Sequence, residues 1–417
     1  MTATLAASAA IIKELYQDGD VPEELYKNNN GFIWLPKVTT FTGAPERIAV
    51  QTEHTQGASA GFATAQANIL QSKFSSFSVN RVKDYSIARI DGEALEVADG
   101  ADGSLVDLWD RELKSAMMAA VRSLAIQMYR NGTGSRGQID ASSNTATATI
   151  TLLNTSEITN FAVGMAVNGS ATDGSANYQS SAQEIIAGID RALGTLTSTS
   201  VTWATIITSL STNDFLYRAG DGINGGTVGT AGVGVIVGLQ GWIPGGAAPG
   251  TLFGLSRNTD PVRLAGQLYS ALGTPIEEAV IEAIARVGVE GGTPDTLLCH
   301  PRDKANLMKS LETKTRYPKS SRIGTASVGF DAVTFESDTG PIDIISDMNC
   351  PRYKGFLLQK DTWFLGSVGK APRILNFYKQ DMLRVYNADS YEVRIGSYVQ
   401  MVCRAPAWNL QISNFGT

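Results

Sequence analysis

A long stretch of helical periodicity between residues 104 and 134 constrains the fold more than any other feature. It reads SLVDLWDRELKSAMMAAVRSLAIQMYRNGTG. Ser104 and Asp107 have capping-box spacing at its start, and Asn131 with Gly132 suits a left-handed C-cap. One helical face collects the apolar residues Leu105, Leu108, Trp109, Leu113, Ala116, Met117, Ala120, Val121, Leu124 and Met128. We predict a helix over residues 105–130, about 39 Å long, against which other elements must pack.

The segments around this helix are mostly short and β-favouring. PERIAVQTEHTQ and FSSFSVNRVKDYSIARI precede it, and DTLLCH, GPIDIIS and GFLLQ follow much later. These runs are rich in alternating or continuous apolar residues, which is typical of strands. Helices and strands are mixed without a regular βαβ rhythm, so the sequence predicts an α+β fold.

Two further helices are predicted in the second half of the chain. Asp260 and Thr274 each precede a proline, which favours a helix start at that point. The helix after Thr274 places Ile276, Val280, Ile284 and Val287 on one face and ends at Gly288. The segment RDKANLMKSLET predicts another helix directly after the strand DTLLCH.

Composition excludes several classes of protein. Charged residues make up 18% of the 417 residues and the formal net charge is −6, so bulk charge gives no general attraction to nucleic acid. The start of the chain lacks the basic region of a signal peptide, and no apolar run approaches the ~20 residues of a membrane span. Cys299, Cys350 and Cys403 lack CxxC spacing. We therefore expect a soluble protein made in a reducing cytoplasm, without a disulfide framework or a zinc site.

Motifs that could support catalysis are few. GASAG at residues 57–61 matches the GxSxG nucleophile elbow, and a serine hydrolase with Ser59 as its nucleophile is the second alternative. An elbow needs a parallel sheet that this pattern does not predict. His54 and His300 are too isolated for a metal site. The sequence therefore predicts no metal, no cofactor and no catalytic residues.

A second candidate cluster is SDMNCP, with Asp347, Asn349 and Cys350 between two apolar runs. An activated cysteine needs a nearby cation to stabilise its thiolate, whereas Asp347 would raise the pKa of the thiol. Pro351 favours a turn. We predict a turn between strands, although a histidine brought in by the fold would revive the catalytic alternative.

Three regions lack the apolar content of the rest. Residues 1–40 combine a short helical pattern with the sequence KNNNG and predict an arm. Residues 43–90 form a long hairpin-like excursion with a glycine-rich tip at 57–61. Residues 140–222 contain short β-like pieces separated by Gly, Asn, Asp and Ser, and predict a compact β-rich insertion that folds autonomously.

The order of these features resembles the major capsid proteins of tailed bacteriophages with the Hong Kong 97-like fold. The resemblance is carried by the loop at 43–90, the helix ending in MYRNGTGSRGQI, and the C-terminal segments. Those segments are IEEAVIEAIARV, DTLLCHPRDKANLMKSL, IDIISDMNCPRYKGFLLQ and RVYNADSYEVRIGSYVQMVCRAPAWNLQIS. It covers most of the chain outside residues 140–222, which are similar to the β-domains that some of these capsid proteins insert.

The resemblance implies a division of the chain into seven parts. They are an N-terminal arm at 1–40, an E-loop at 41–92, a peripheral domain with the spine helix at 93–139, a β-rich insertion domain at 140–222, a peripheral-domain connection at 223–260, an axial domain at 261–365 and C-terminal peripheral strands at 366–417.

The same resemblance implies a structural role in the virion capsid, after assembly in the host bacterial cytoplasm. It implies a homo-oligomer of hexamers and pentamers in an icosahedral shell, non-specific contact with packaged double-stranded DNA, and no membrane partner. It allows portal, scaffolding or decoration proteins as partners. An encapsulin-like cargo compartment is the alternative with the same fold. We expect the E-loop to be mobile in free subunits and ordered by neighbours, because its strands alternate and cannot bury enough surface alone.

Overall fold

The computed structural model describes residues 29–39, 41, 45–93, 108–174, 178–179, 182–200, 202–222, 228, 234–244, 249–312, 333–337, 340–375 and 383–416. The described chain combines helices with three six-stranded sheets and two two-stranded pairs.

The helices are α1 Asn30–Trp34, α2 Phe62–Ala67, α3 Leu108–Tyr129, α4 Trp203–Ile206, α5 Leu239–Trp242, α6 Pro261–Ala265, α7 Ile276–Val289 and α8 Pro301–Glu312. Short 3-10 turns cover Thr155–Asn160, Lys360–Thr362 and Pro406–Trp408. The strands are β1 Lys37–Val38, β2 Glu46–Glu53, β3 Lys73–Val79, β4 Val82–Asp91, β5 Ser135–Gln138, β6 Thr149–Thr151, β7 Ala166–Ser170, β8 Glu184–Asp190, β9 Thr195–Ser198, β10 Phe215–Arg218, β11 Thr251–Leu252, β12 Leu255–Ser256, β13 Gln267–Ser270, β14 Thr296–Cys299, β15 Val333–Ser337, β16 Gly340–Ser346, β17 Lys354–Leu358, β18 Trp363–Ser367, β19 Arg373–Ile374, β20 Leu383–Arg384, β21 Ser390–Cys403 and β22 Leu410–Ser413.

The predicted long helix is confirmed as α3, which ends at Tyr129. Its predicted capping residues, Ser104 and Asp107, lie outside the described residues. Burial increases along the helix, because Leu124 and Met128 enter the main core whereas Leu113 remains half-buried. Gly132 follows with φ of +91°, a left-handed conformation that favours glycine, as the C-cap pattern predicted.

The first sheet is built around the long strand β21. β4 pairs antiparallel with β21 from Ser390 to Val399, and β18 pairs with its C-terminal end. β19 and β20 also pair with β21, and β1 pairs in parallel with β18. Helix α3 covers one face of this sheet, where Ala120 packs with Val393 and Ile395.

The main core contains the C-terminal half of α3 and side chains from the first sheet and its connections. Trp242 is fully buried, its indole N–H donates to the Met401 carbonyl at 3.1 Å, and the Phe77 ring meets it edge-on at 5.2 Å. Full burial of a large apolar side chain contributes about 1.5–3 kcal/mol. These aromatic contacts therefore hold β3 and α5 against the sheet.

The second sheet has the strand order β13-β22-β17-β14-β16-β15. The predicted strand DTLLCH is confirmed as β14, whose four residues are all buried. Helix α7 buries Ile276, Val280, Ile284 and Val287, also as predicted. Asp260 caps α6 as predicted by accepting a hydrogen bond from the Arg263 N–H at 3.2 Å, but Thr274 is not the cap of α7, since that position is Pro275.

The third sheet has the order β5-β10-β7-β8-β9-β6, and its two outer strands meet each other. Ile139, directly after β5, pairs with Leu152, directly after β6. The sheet therefore closes on itself around its own core. That core consists of Ile139, Ile150, Leu152, Ile158, Phe161, Val167, Ile186, Leu196, Trp203, Ile207, Leu210 and Leu216.

The structure shifts two of the predicted boundaries near the N-terminus. Residues 29–38 belong to the body of the subunit and not to an arm, because Phe32 and Trp34 are buried in the main core. Residues 1–28 lie outside the described residues. The extended hairpin ends at Val79 and not at residue 92, because β4 is a strand of the first sheet.

Two more boundaries shift for similar reasons of strand pairing. The closed sheet begins with β5 at Ser135, before the predicted boundary at 140, because β5 supplies the strand between β10 and β6. The last strand, β22, was predicted to lie with the C-terminal peripheral strands. It instead pairs with β13 and β17 in the second sheet.

We predict that a fragment of residues 134–222 folds alone, whereas a fragment of residues 140–222 does not. The shorter fragment lacks β5 and the buried Ile139, so β10 keeps only β7 as a neighbour, β6 keeps only β9, and the closure between them is lost. Amide spectra from nuclear magnetic resonance should be dispersed for the longer fragment and collapsed for the shorter one. Equal dispersion would mean that β5 is dispensable, and two collapsed spectra would exclude autonomous folding.

Candidate subunit interface and its buried anchor

The hairpin of β2 and β3 is anchored at one end and exposed at the other. The two strands pair antiparallel from Glu46 with Val79 to Glu53 with Lys73. At the base, Phe77 and Val79 are fully buried in the main core. The hairpin therefore packs partly on its own subunit, in contrast to the expectation that neighbours alone would order it.

The outer part of the hairpin presents large apolar side chains to solvent. Phe62 is 84% exposed and Phe74 is 68% exposed, and Ile69 and Leu70 are also exposed. Several large apolar side chains exposed on one hairpin indicate an interaction surface. We call these four residues the hairpin apolar surface.

Ser59 lies in the turn of this hairpin, between β2 and α2. It is exposed, and its hydroxyl accepts a hydrogen bond from the Gly61 N–H at 3.2 Å. A nucleophile elbow requires a strand of a parallel sheet immediately before the serine. Because this hairpin is antiparallel and β2 ends at Glu53, the geometry does not support the hydrolase alternative.

Two other exposed apolar regions lie on the body of the subunit. Leu272, in the turn before α7, and Val289, the last residue of α7, are largely exposed, and Ile281 lies exposed between them. On the first sheet, Tyr85 is half exposed and its ring meets Tyr398 edge-on at 6.1 Å. These regions are further candidates for contact between subunits.

The predicted turn SDMNCP is confirmed, and its carboxylate is a buried structural anchor. Asp347 Oδ2 accepts from the Gly31 N–H at 2.7 Å and from the Tyr129 hydroxyl at 3.0 Å. Asp347 Oδ1 accepts from the backbone N–H of Asn349 at 2.8 Å and from its side-chain amide at 3.0 Å. Burial raises the pKa of Asp347, and these four hydrogen bonds oppose that rise.

This anchor joins parts of the chain that are distant in sequence. Asp347 connects the start of α1 to the last residue of α3 and to the turn after β16. The Asn349 side chain also donates to Asn29 at 2.8 Å. A Cβ atom on Gly31 would clash with the Tyr129 hydroxyl, so only glycine permits the approach. Sequence reasoning found Asp347 and Asn349 but had no signal for their partners.

Cys350 is a buried structural residue. Burial raises the pKa of its thiol well above the usual range, and the neighbouring Cys299 and Asp347 add to the rise. A thiol in such surroundings stays protonated and unreactive. The surroundings of Cys350 therefore do not support the activated catalytic cysteine that the sequence left open as an alternative.

The same turn contacts a second buried carboxylate, on α8. Asp303 is fully buried, and its Oδ2 accepts from the Tyr353 N–H at 2.9 Å. Burial raises the pKa of Asp303 to about 6. Nearby, burial and then the Arg352 and Arg302 cations lower the pKa of His300 to about 4. Folding therefore favours the uncharged form of both side chains.

Buried ion pairs fasten the closed sheet to the first sheet. Arg218 contacts Asp84 of β4 at 2.8 Å and Asp221 at 2.7 Å. Arg136 contacts Asp221 at 3.2 Å. Since removing one member of such a buried network leaves an unpaired charge, these contacts fix the orientation of the closed sheet.

Two properties can be stated for the described part of the chain. No group of three or more His, Cys, Asp or Glu side chains there is arranged to hold a metal ion. None of the described helices is both long and apolar enough to cross a membrane.

The architecture is similar to that of solved capsid shells. The cyanophage A-1(L) capsid asymmetric unit matches with a TM-score of 0.54 and 12% identity, over 96% of this chain and 97% of that chain. An encapsulin complex from Synechococcus elongatus PCC 7942 matches with a TM-score of 0.48 and 9% identity, over 98% of this chain and 94% of that chain. The capsid of an empty GTA particle has a TM-score of 0.48 and 7% identity, over 95% and 94% of the two chains. The cyanophage match defines the class of the fold, a mixed α/β phage capsid fold.

Family membership then follows from the sequence. The sequence model of the SU10 major capsid protein family matches residues 79–374. The chain therefore belongs to the SU10 major capsid protein family, and it is a shell-forming structural protein of tailed bacteriophages. Membership of this family supports a phage shell rather than an encapsulin-like cargo compartment. None of the curated proteins is significantly similar in sequence.

We predict that Tyr129→Phe lowers the free energy of unfolding by about 1–3 kcal/mol, because it removes a hydrogen bond to a buried carboxylate. Denaturant titration of the unassembled protein measures the change. The control is Tyr386→Phe, since Tyr386 is fully exposed and should cost nothing measurable. Equal stability of Tyr129→Phe and wild type would show that Asp347 does not depend on the hydroxyl.

We also predict opposite pH dependences for Asp303→Asn and His300→Gln. The folded pKa of Asp303 is about 6 against an ordinary value of 3.8, so its contribution to stability decreases as pH rises from 4 to 6. The folded pKa of His300 is about 4 against 6.5, so its contribution increases over the same interval.

The two contributions oppose each other in the wild type. Between pH 4 and 6, stability relative to wild type should therefore rise with pH in Asp303→Asn and fall with pH in His300→Gln. Each slope should stay below about 1.4 kcal/mol per pH unit, the limit for one proton. Denaturant midpoints at several pH values measure both slopes. Slopes of the same sign would contradict the assignment.

Proposed function

We propose that this capsid protein has the Hong Kong 97-like arrangement and assembles as hexamers and pentamers of the icosahedral shell. In this proposal α3 is the spine helix and the first sheet forms the peripheral domain around it. The second sheet with α7 and α8 is the axial domain, and the closed sheet of residues 135–222 is an insertion domain. The support is the separate strand order of each sheet and the ion pairs that join them.

The hairpin of β2 and β3 acts as the E-loop that binds a neighbouring subunit. The observation that carries this proposal is the contrast along the hairpin, which buries Phe77 at its base and exposes Phe62 and Phe74 farther out. An apolar surface that its own subunit leaves uncovered is stabilised when a neighbour covers it. Repeated around each ring, this contact adds many modest interfaces to the shell.

The exposed side chains at the ends of α7 suit contacts between axial domains of one ring. Leu272 lies in the turn before α7 and Val289 is the last residue of the helix, so a ring could place the turn of one subunit against the helix end of the next subunit. Such head-to-tail contacts close into rings. The shell forms in the host cytoplasm, encloses double-stranded DNA held by non-specific contact, and leaves room for portal, scaffolding or decoration proteins. The chain acts without catalysis.

We predict that the double variant Phe62→Ser/Phe74→Ser forms shells poorly while its subunit folds normally. Loss of the two exposed apolar side chains weakens each hairpin contact by at least about tenfold, since burial of one such side chain is worth about 1.5–3 kcal/mol. Sedimentation and negative-stain electron microscopy measure the assembled fraction. The control is Leu193→Ser, which changes an equally exposed side chain on the closed sheet.

Limited proteolysis tests the same contact without a mutation. Arg47 and Lys73 lie in the hairpin, whereas Lys83 lies in β4 of the first sheet. Cleavage at Arg47 and Lys73 should be fast in free subunits and suppressed in shells, and Lys83 should resist in both states. Normal shells from the double variant, together with equal cleavage in both states, would exclude the hairpin as the contact. A protein that stays a discrete monomer or dimer under all assembly conditions would refute shell formation.

A further inference from the structure

The first sheet has one face covered by α3 and one face that the helix leaves open. On the covered face, Ala120 of α3 packs with Val393 and Ile395 of β21. Because side chains alternate between the two faces of a strand, the intervening residues of β21 point to the other face. Arg394 is exposed there, and Tyr398 is half-buried.

Strand pairing brings the side chains of three strands together on this second face. Lys83 of β4 lies opposite Tyr398, and Tyr85 lies opposite Gly396. On the other edge of β21, Arg373 of β19 lies opposite the same glycine. We call this surface the open sheet face, and its side chains are those of Lys83, Tyr85, Ile87, Arg373, Arg394 and Tyr398.

Positive charge dominates the open sheet face. Lys83 and Arg373 are exposed and form neither hydrogen bonds nor ion pairs with their side chains in the described part of the chain. Lys370, in the turn before β19, is exposed and unpaired in the same way. Arg394 is neutralised by Glu392, whose carboxylate accepts from the guanidinium at 2.8 Å. Three unpaired cations therefore lie together in a chain whose formal net charge is −6.

The rest of the face adds hydroxyl groups and no net charge. Arg89 and Asp91 follow on the same side of β4, and their opposite charges offset each other. The hydroxyls of Tyr85 and Tyr398 lie 3.5 Å apart, and Tyr85 is half exposed. Lysine, arginine and tyrosine side chains are among the groups with which proteins contact DNA phosphates.

The hairpin of a neighbouring subunit is the other candidate for this face, because Tyr85 and Ile87 offer it apolar surface. The hairpin apolar surface carries no charge, and Glu53 beside it is already paired with Lys73 at 2.9 Å. Such a contact would remove three unpaired cations from water without a counter-charge, which is costly. The charges therefore favour a partner that is rich in anions.

We propose that the open sheet face binds the phosphate backbone of packaged double-stranded DNA without reading its sequence. The inference rests on the shell function proposed above and assigns its DNA contact to particular residues. The three strands span about 10 Å at ~4.8 Å between neighbouring strands. Since each DNA strand carries one phosphate per about 3.4 Å of helix axis, about three phosphates lie within reach.

The position of the closed sheet supports this assignment. Asp84 alternates with Lys83 along β4 and therefore lies on the covered side, where it contacts Arg218 of the closed sheet at 2.8 Å. The closed sheet and the open sheet face thus lie on opposite sides of the first sheet. A domain on the inner side of a shell takes up volume that DNA would fill, whereas the outer side has no such limit. In this proposal the closed sheet is outside and the open sheet face is inside.

Fluorescence anisotropy of a labelled DNA duplex, titrated with unassembled protein at several salt concentrations, tests the phosphate contact. For three phosphates, the slope of log K against log salt concentration should be about −2.7. Lys83→Gln/Arg373→Gln should reduce the magnitude of this slope by about 1.8 and weaken binding at low salt by at least about tenfold. Both side chains are exposed, so this variant should still fold and form shells.

The matched control is Arg302→Gln/Lys360→Gln, which also removes two exposed cations, from α8 and from the turn after β17. It should keep the wild-type slope. The proposal is overturned if wild type does not bind DNA at low salt, or if the two double variants have equal slopes. Phe62→Ser/Phe74→Ser should bind DNA like wild type even where it forms no shells, so failure of the shell function is distinguishable from failure of the DNA contact.

Labelling of single-cysteine variants tests the orientation of the face in the shell. The three native cysteines are buried, so an added surface cysteine is labelled selectively. With a maleimide reagent too large to enter the shell, Lys370→Cys should be labelled in free subunits and protected in shells. Leu193→Cys, on the closed sheet, should be labelled in both states. Labelling of Lys370→Cys in closed shells would place the open sheet face outside and overturn the proposal.

Discussion

The buried carboxylate of Asp347 is the contact on which the arrangement of the subunit depends. Its four hydrogen bonds come from α1, from the end of α3 and from its own turn. A buried carboxylate that lost these donors would bear the full cost of desolvation, so the three segments must meet in one geometry. Because the pKa of Tyr129 is raised well above its usual range by burial and by Asp347, its hydroxyl remains a donor.

Polar anchors and apolar surfaces have different tasks in this molecule. Asp347 and the Arg218 ion pairs with Asp84 and Asp221 fix how the parts of one subunit are oriented. The exposed side chains of Phe62 and Phe74 instead leave apolar surface available to a second subunit. A shell protein needs both properties. Directional buried contacts specify the shape of the subunit, whereas non-directional apolar contacts tolerate the small differences between positions in a shell.

The elements with strong local signals could be predicted from the sequence. The apolar periodicity identified α3 and α7, and continuous apolar runs identified β14 and β17, because local spacing alone decides those structures. The predicted boundaries of the loop, the insertion and the C-terminal strands changed because a strand pairs with a distant segment, whereas the boundary of the arm changed because Phe32 and Trp34 are buried in the main core. β22 pairs with β13 and β17, and Ile139 pairs with Leu152. Strand pairing depends on which strand edges become neighbours in space, and the sequence pattern does not contain that information.

The candidate sites, too, were predicted only in part from the sequence. The sequence by itself determined that SDMNCP is a turn, that the hairpin has too few apolar residues to be its own domain, and that the ordered elements resemble a phage capsid protein. Only the tertiary structure decided that Asp347 binds Gly31, 316 residues away, and that Arg218 binds Asp84, 134 residues away. The physical reason is that hydrogen bonds and ion pairs act over a few ångströms in space. Residues hundreds of positions apart come within that range only after the sheets have packed.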